Sequence, residues 1–244
     1  MGFTSIRRLI PREHGVWFMW LLPVLLGAAI GRPGWIHVFI LLSALFLHLA
    51  SFAALEAVRE GPRGGWLRRG AAAFGGLAAV LVLYPAMQWP VLVAFGALAA
   101  ALFGTNLAFA RARKERTLVN DALAIAGLEL WAPVSYLAGT GALDRNAALL
   151  WLFCFLYFFG TAFHVKTLFR ERGDRDFKRL SNAVHVALVA APALVGLPKV
   201  ALAYVPSAIR TWLLPSGTRL RPVVAGLIEI TNSLLFMGLL VWLW

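Results

Sequence analysis

The sequence predicts an all-α, polytopic transmembrane bundle of about nine helices, and three observations carry that prediction. Charge is scarce, apolar runs of near-spanning length follow one another from end to end, and basic residues gather in alternate loops. Of the 244 residues, 61% are hydrophobic and 14% charged, against about 25% charged in an ordinary soluble domain. No long polar stretch separates the runs, so residues 1–244 read as a single integral membrane domain.

Each helix is bounded by charge or by glycine and proline, and each approaches the ~20 residues needed to cross ~30 Å of hydrocarbon. The first, 14–30, lies between Arg12 and Gly31-Arg32-Pro33. The second, 35–58, and third, 70–85, flank the run that holds Arg59, Arg63, Arg68 and Arg69. The fourth, 90–110, ends at the Arg111 to Arg116 stretch, beyond which the fifth, 119–139, begins. The sixth, 147–168, leads into the basic segment Lys166 to Arg179, and the seventh is placed at 182–197. Gly196, Pro198 and Lys199 divide it from the eighth, 199–213, and Arg219 and Arg221 precede the ninth, 223–244. Pro23, Pro192 and Pro206 interrupt the first, seventh and eighth, so broken or tilted helices are expected there.

Threaded through a membrane from a cytoplasmic N-terminus, this arrangement puts every basic residue except Arg32, Arg145 and Lys199 on the cytoplasmic side. Such a bias is what orients multi-pass proteins in the plasma (inner) membrane, and it sends the C-terminus to the opposite face. Arg7 and Arg8 precede the first apolar run as in a signal peptide, but Gly31-Arg32-Pro33 is a poor cleavage context, and the run reads as a retained helix.

Several chemistries are disfavoured. The single cysteine, Cys154, allows neither an internal disulfide nor a cysteine metal cluster. The net charge of +12 resembles that of nucleic-acid-binding chains, yet its placement in short loops points to topology and to anionic lipid head groups, so no nucleic-acid partner is expected. There is no Walker loop, no Gly-x-Ser-x-Gly elbow and no His-Glu-x-x-His. No two of His14, His48, His164 and His185 share one helix face, which disfavours haem and metal.

Polar side chains inside a membrane are costly and usually face a cavity or a partner. Here Glu13, His14, Glu56, Asn106, Asn120, Asp121, Glu129, His164, Lys166, Asn182, His185 and Glu229 all fall in the cytoplasmic half, with His48 near mid-depth. The pattern predicts a polar cavity open to the cytoplasm. Plainer roles are open as well: Glu56 beside Arg59 at a solvated edge, His48 as a packing residue, Asn120 and Asp121 as a helix cap and first-turn acid. Glu129 and Glu229 lie deep in apolar helices without a neutralising neighbour, which calls for a function or a buried pair with Arg or His.

The opening Arg8-Leu-Ile-Pro11-Arg12-Glu13-His14-Gly15-Val-Trp17, running on to Pro23 and Gly27, resembles that of the YwiC-like family of bacterial membrane proteins. The stretch His164-Val-Lys166-Thr-Leu-Phe-Arg170-Glu171-Arg172, followed by Ser181 and His185, extends the resemblance. More distantly, the layout is similar to the UbiA superfamily of intramembrane prenyltransferases, which arrange nine helices around a cytoplasm-facing cavity. The segment Arg111 to Arg116 followed by Asn120 and Gly127 resembles their basic approach to helix five, and Ser181 sits where their sixth loop re-enters the membrane.

The UbiA resemblance implies a prenyl or other lipid diphosphate as ligand. It puts His164, Glu171 and Glu56 in the catalytic places, and Arg12, His14, Asn120, Arg111, Lys114, Lys166, Arg170, Arg172, Ser181 and His185 around the substrate. It also implies Mg²⁺ held by two Asp-rich motifs, but the sequence departs from both. Only Glu56 and Glu60 are acidic after the second helix, and Glu171, Asp174 and Asp176 lie among arginines and lysines after the sixth. Arginine and lysine can hold a diphosphate without metal, so the cofactor stays unassigned. Three readings are open: a prenyltransferase-like enzyme, a non-catalytic protein that binds lipid, isoprenoid or quinone, and a small-anion transporter. The bare outer half disfavours the last.

Overall fold

A computed structural model describes residues 9–11 and 14–244, with the backbone alone for His14. The described residues form ten α-helices, two short 3-10 turns and no strand. They are α1 His14–Gly31, α2 Ile36–Glu60, α3 Gly65–Gln88, α4 Leu92–Arg111, α5 Leu118–Leu128, α6 Trp131–Thr140, α7 Arg145–Phe169, α8 Arg175–Leu194, α9 Ala201–Leu213 and α10 Pro222–Leu243.

Each expected segment is helical, and ten helices replace nine because the fifth splits into α5 and α6 at Glu129 and Leu130. Pro133 accounts for the split. Its ring has no N–H to give and collides with the carbonyl four residues back, that of Glu129. By contrast α1 and α9 run unbroken through Pro23 and Pro206, and α8 ends two residues after Pro192. The seventh helix starts earlier than expected, because Asp174 Oδ1 accepts from the Asp176 and Phe177 N–H groups at 2.9 Å and caps α8 there.

Five stretches are long and apolar enough to cross a membrane: Ile36–Gln88, which contains both α2 and α3, then Leu92–Arg111, Leu118–Thr140, Arg145–Phe169 and Pro222–Leu243. The 13 residues of α9 reach only about 20 Å at ~1.5 Å per residue, short of a full crossing. Large apolar side chains stand exposed along the helices, among them Val80, Met87, Val93 and Leu194. This is the surface of a multi-pass membrane protein, whose outward face meets lipid.

The chain divides into two compact units, one through Trp151 and one from Leu152 on, with α7 continuing from the first into the second. In the first unit, α2 and α3 form an antiparallel hairpin. Phe39 meets Tyr84, Ser43 Oγ donates to the Ala78 carbonyl at 3.0 Å, and Phe46 stacks on Phe74. Helices α1 and α6 instead run parallel and very close. Ser135 Oγ donates to the Val24 carbonyl at 2.7 Å, and His37 Nε2 lies 3.0 Å from the Ser135 carbonyl.

Small residues four apart make that approach possible, Gly27 with Gly31 on one helix and Ser135 with Gly139 on the other. A Cβ on Gly27 would stand 2.3 Å from the Ala132 carbonyl oxygen, and one on Gly139 would stand 2.6 Å from the Gly31 carbonyl. Around this contact Trp20, Val24, Ile40, Ala44, Leu92, Val134 and Leu137 form the unit's buried core.

In the second unit the helices alternate in direction. Phe163 stacks on Phe177, Lys178 reaches Thr211, and Tyr204 meets Phe236, so α7, α8, α9 and α10 run down, up, down, up. Gly160 lets α8 close onto α7, since a Cβ there would stand 2.4 Å from Leu188 Cδ1.

Gly27→Ala should therefore lower the stability of the detergent-solubilised protein by about 1–3 kcal/mol, the usual cost of overpacking. Gly76→Ala, at a helical glycine with nothing within 4 Å of the new methyl, should change it little. Thermal unfolding of the two variants measures the difference, and equal stability would mean that the α1–α6 contact is not the tight one described.

Candidate functional site

The second unit encloses a buried polar centre built by four helices. The inward positions of α8 are Lys178, Ser181, His185, Leu188 and Pro192, spaced three and four apart as one face of a helix demands. On α9 the same spacing turns Tyr204, Ser207, Arg210 and Thr211 inward, and on α10 it turns in Glu229, Asn232, Ser233 and Phe236. His164 comes from α7 and is fully buried. Beneath these polar residues lies an aromatic layer in which Tyr157 stacks on Phe236 at 4.1 Å and Tyr204 donates its hydroxyl proton to the Phe153 carbonyl at 2.8 Å.

Arg210 and Glu229 form the core of the centre: Nη1 donates to Glu229 Oε2, with both side chains over nine-tenths buried. The other carboxylate oxygen stands 3.9 Å from His164 Nε2, too far for a hydrogen bond. His164 Nδ1 lies 3.2 Å from Thr211 Oγ1, and Thr167 Oγ1 donates to the His164 carbonyl at 2.7 Å. The His185 ring is 6.4 Å from that of His164. Its Nδ1 is 2.7 Å from the Ser181 carbonyl, which only accepts, so the proton is on Nδ1 and a neutral ring offers Nε2 as an acceptor.

Lys178 Nζ donates to the Thr211 carbonyl. Arg210 Nε and Nη2, His185 Nε2 and Ser181 Oγ are buried and have no hydrogen-bond partner among the described residues. Glu229 Oε1, His164 Nε2 and Asn232 Oδ1 in the same centre are likewise buried without a hydrogen-bond partner among the described residues.

Of the residues expected at the site, His164, Ser181 and His185 meet in this centre. Lys166 is buried on α7. Arg170 and Arg172 are exposed and Glu171 half-buried in the turn after α7, where Arg172 Nε caps the Leu168 carbonyl at 2.8 Å. In the first unit Glu56 pairs with Arg59 at an exposed helix end, and Arg59 also stands 3.9 Å from Glu115. Asn120 is buried but does not cap α5: Thr117 does, accepting from the Asn120 N–H at 3.3 Å, while the Asn120 amide donates to the Glu115 carbonyl. Arg111 and Lys114 are exposed near the end of α4. Arg12 and the His14 side chain lie outside the described residues.

His48 packs its ring against Trp17 and Trp20, at 5.7 and 6.0 Å. Glu229 has the buried Arg partner that its isolation in an apolar helix demanded, with a histidine nearby. Arg210 and Lys178 were counted as loop charges in the sequence, and Thr211 carried no signal there. The clue for Arg210 was its place within an otherwise apolar helix.

Among the described residues no three His, Cys, Asp or Glu side chains lie together as a metal ion would require. The described residues therefore do not fit the Mg²⁺ that the UbiA resemblance implies.

Fold and site together define a multi-pass, all-helical membrane protein with a buried, cation-rich polar centre. The family model described as YwiC-like protein matches residues 10–136, and the chain belongs to that family. It is 32% identical over 241 residues to the uncharacterized protein YwiC of Bacillus subtilis (strain 168), covering 96% of this chain and 98% of that one. It is 29% identical over 244 residues to an uncharacterized protein of Haemophilus influenzae, with the same coverage. No solved structure matches.

Removing one partner of a buried ion pair strands the other charge, at a cost of about 3–5 kcal/mol. Glu229→Leu should destabilise the protein by that much, and the double variant Arg210→Met, Glu229→Leu should cost less than either single change. Denaturant unfolding in detergent micelles measures all three. A double variant as unstable as the sum of the singles would mean that the two side chains act independently.

Proposed function

We propose that this YwiC-like protein binds the phosphate or diphosphate head of an isoprenoid or other lipid at the buried polar centre of its second unit. Arg210 and Lys178, in place of a metal, meet the anionic charge. The observation that carries the reading is the surplus of buried donors on Arg210, whose Nε and Nη2 have no acceptor among the described residues, beside one carboxylate for two cations. A buried N–H without an acceptor costs about 1–3 kcal/mol, and a bound phosphate oxygen removes that cost. Ser181 Oγ, buried and without a partner among the described residues, supplies a further donor on the inward face of α8.

Binding is favoured over prenyl transfer. Glu56 and Glu171, in the catalytic places of the UbiA resemblance, belong to an exposed ion pair and to a surface turn. Neither is positioned by burial as an acid or base needs. Farnesyl diphosphate titrated into the purified protein should bind equally well with and without EDTA. Lys178→Met should weaken binding by about 1–3 kcal/mol, the loss of a charge-assisted hydrogen bond, and Arg170→Ala or Arg172→Ala should weaken it less. Binding abolished by EDTA, or indifferent to Lys178, would overturn the proposal.

The same reading places the N-terminus in the cytoplasm and Trp244 on the opposite face of the plasma membrane. Two observations support it. In the first unit the Arg59–Glu115 approach brings the basic runs 59–69 and 111–116 to one end, while Arg32 lies at the other end of α1. In the second, Lys178 and Arg210 share one end of the α8–α9 pair, and Lys199 marks the other. A cysteine placed at Asn146 should react with an impermeant maleimide in intact cells and one at Arg68 should not. The native Cys154 is buried and stays silent. Labelling at Arg68 would reverse the orientation.

A further inference from the structure

The first unit holds a second feature that the polar centre does not use, a cavity of about 400 Å³ at its basic end. Its walls come from the end of α2, the start of α3 and the end of α4, and they are small and apolar: Ala54, Ala57, Ala71 and Leu107. Alanines leave the room, and the close approach of Gly64 to Ala57 fixes the α2–α3 hairpin beside it. The volume falls within the range of ordinary small-ligand sites.

Two arginines, Arg68 and Arg111, line the cavity, and no carboxylate does. Arg68 Nη1 reaches only the Gly61 carbonyl, at 3.3 Å. The Arg111 side chain makes no hydrogen bond or ion pair with the described residues, and both side chains are exposed. From the cavity α3 continues with Leu77, Val80 and Leu83 standing outward, and α4 with Leu98. A ligand seated here meets two positive charges and an apolar wall, while the exposed apolar residues of α3 and α4 lie farther along the same helices on their other faces.

We infer that this cavity is a binding site for an anionic glycerophospholipid. The phosphodiester lies between Arg68 and Arg111, and the glycerol and the first part of the acyl chains lie against the alanine wall and Leu107. Charge complementarity selects the occupant. A zwitterionic head brings its own ammonium against the two guanidinium groups, whereas a net-negative head brings none, and each basic residue near a membrane surface favours an anionic lipid by roughly fivefold. The apolar wall of Ala54, Ala57, Ala71 and Leu107 selects a lipid over free phosphate.

The test is native mass spectrometry of the full-length protein in a mild detergent, after incubation with phosphatidylglycerol or with phosphatidylcholine of identical chains. Wild-type protein should retain phosphatidylglycerol roughly twenty-five-fold better, as two arginines at about fivefold each predict. The Arg68→Ala, Arg111→Ala variant should reduce retention to the phosphatidylcholine level. Ala71→Leu, which keeps both charges and fills the cavity, should do the same and covers the case in which the double variant fails to fold. Lys178→Met should retain the phospholipid fully, which separates this site from the polar centre of the second unit. Equal retention of the two lipids, no response to either first-unit variant, or displacement of the phospholipid by excess inorganic phosphate would each overturn the inference.

Discussion

A chain with so few charged residues folds where the surroundings neither donate nor accept hydrogen bonds, and that constraint decides most of its architecture. Backbone groups must be satisfied inside helices, and every interruption has to be patched from within the protein. At the break between α5 and α6 the patch is visible. The Ala132 N–H turns to the Glu129 carbonyl, the Val134 N–H to that of Leu130, and the Trp151 indole donates to the Ala126 carbonyl at 3.1 Å. The same constraint removes the hydrophobic effect as glue between helices. Close packing and a few interhelical hydrogen bonds replace it, and the parallel α1–α6 pair, with Gly27 and Gly139 in van der Waals contact with backbone and Ser135 bonded across to Val24, uses both.

Under that constraint the polar centre of the second unit is the costly part of the structure. Burying Arg210, Lys178 and Glu229 together costs more than an apolar core would, so stability is a weak explanation for their presence. The pairing limits the cost but does not cancel it, because Arg210 gives one nitrogen to the carboxylate and leaves two without acceptors among the described residues. Aromatic packing immediately below, from Tyr157, Tyr204 and Phe236, needs none of these charges to hold the helices together. An arrangement that is expensive, separable from the packing and left with unpartnered polar atoms fits ligand binding better than scaffolding.

The helices were legible in the sequence because their signal is local: apolar runs end where charges, Gly or Pro begin. Where reading failed, the deciding contact was particular. Pro23 and Pro206 lie inside continuous helices, while Pro133 follows a break at Glu129 and Leu130 without having attracted notice. The candidate site was legible in part. His164, Ser181 and His185 stood out as polar residues in apolar surroundings and do converge, and Glu229 required a partner. That its partner is Arg210, and that Lys178 turns inward while Arg170 and Arg172 stay on the surface, depends on helix phase and on α8 beginning at Arg175. A count of loop charges holds neither piece of information.

The two basic features differ in a way that bears on their work. Around Arg68 and Arg111 the guanidinium groups are exposed and make few contacts, so water and salt screen them and a bound head group gains only a modest, lipid-selective attraction. Around Arg210 the same chemical group is dehydrated, and each contact made there is stronger and each one missing more costly. An exposed pair suits an exchangeable membrane lipid that helps seat the first unit. A dehydrated pair suits one ligand, chosen by shape and charge together. With Arg210 and Lys178 buried in a centre that holds a single buried glutamate, the ligand we propose there is an anion.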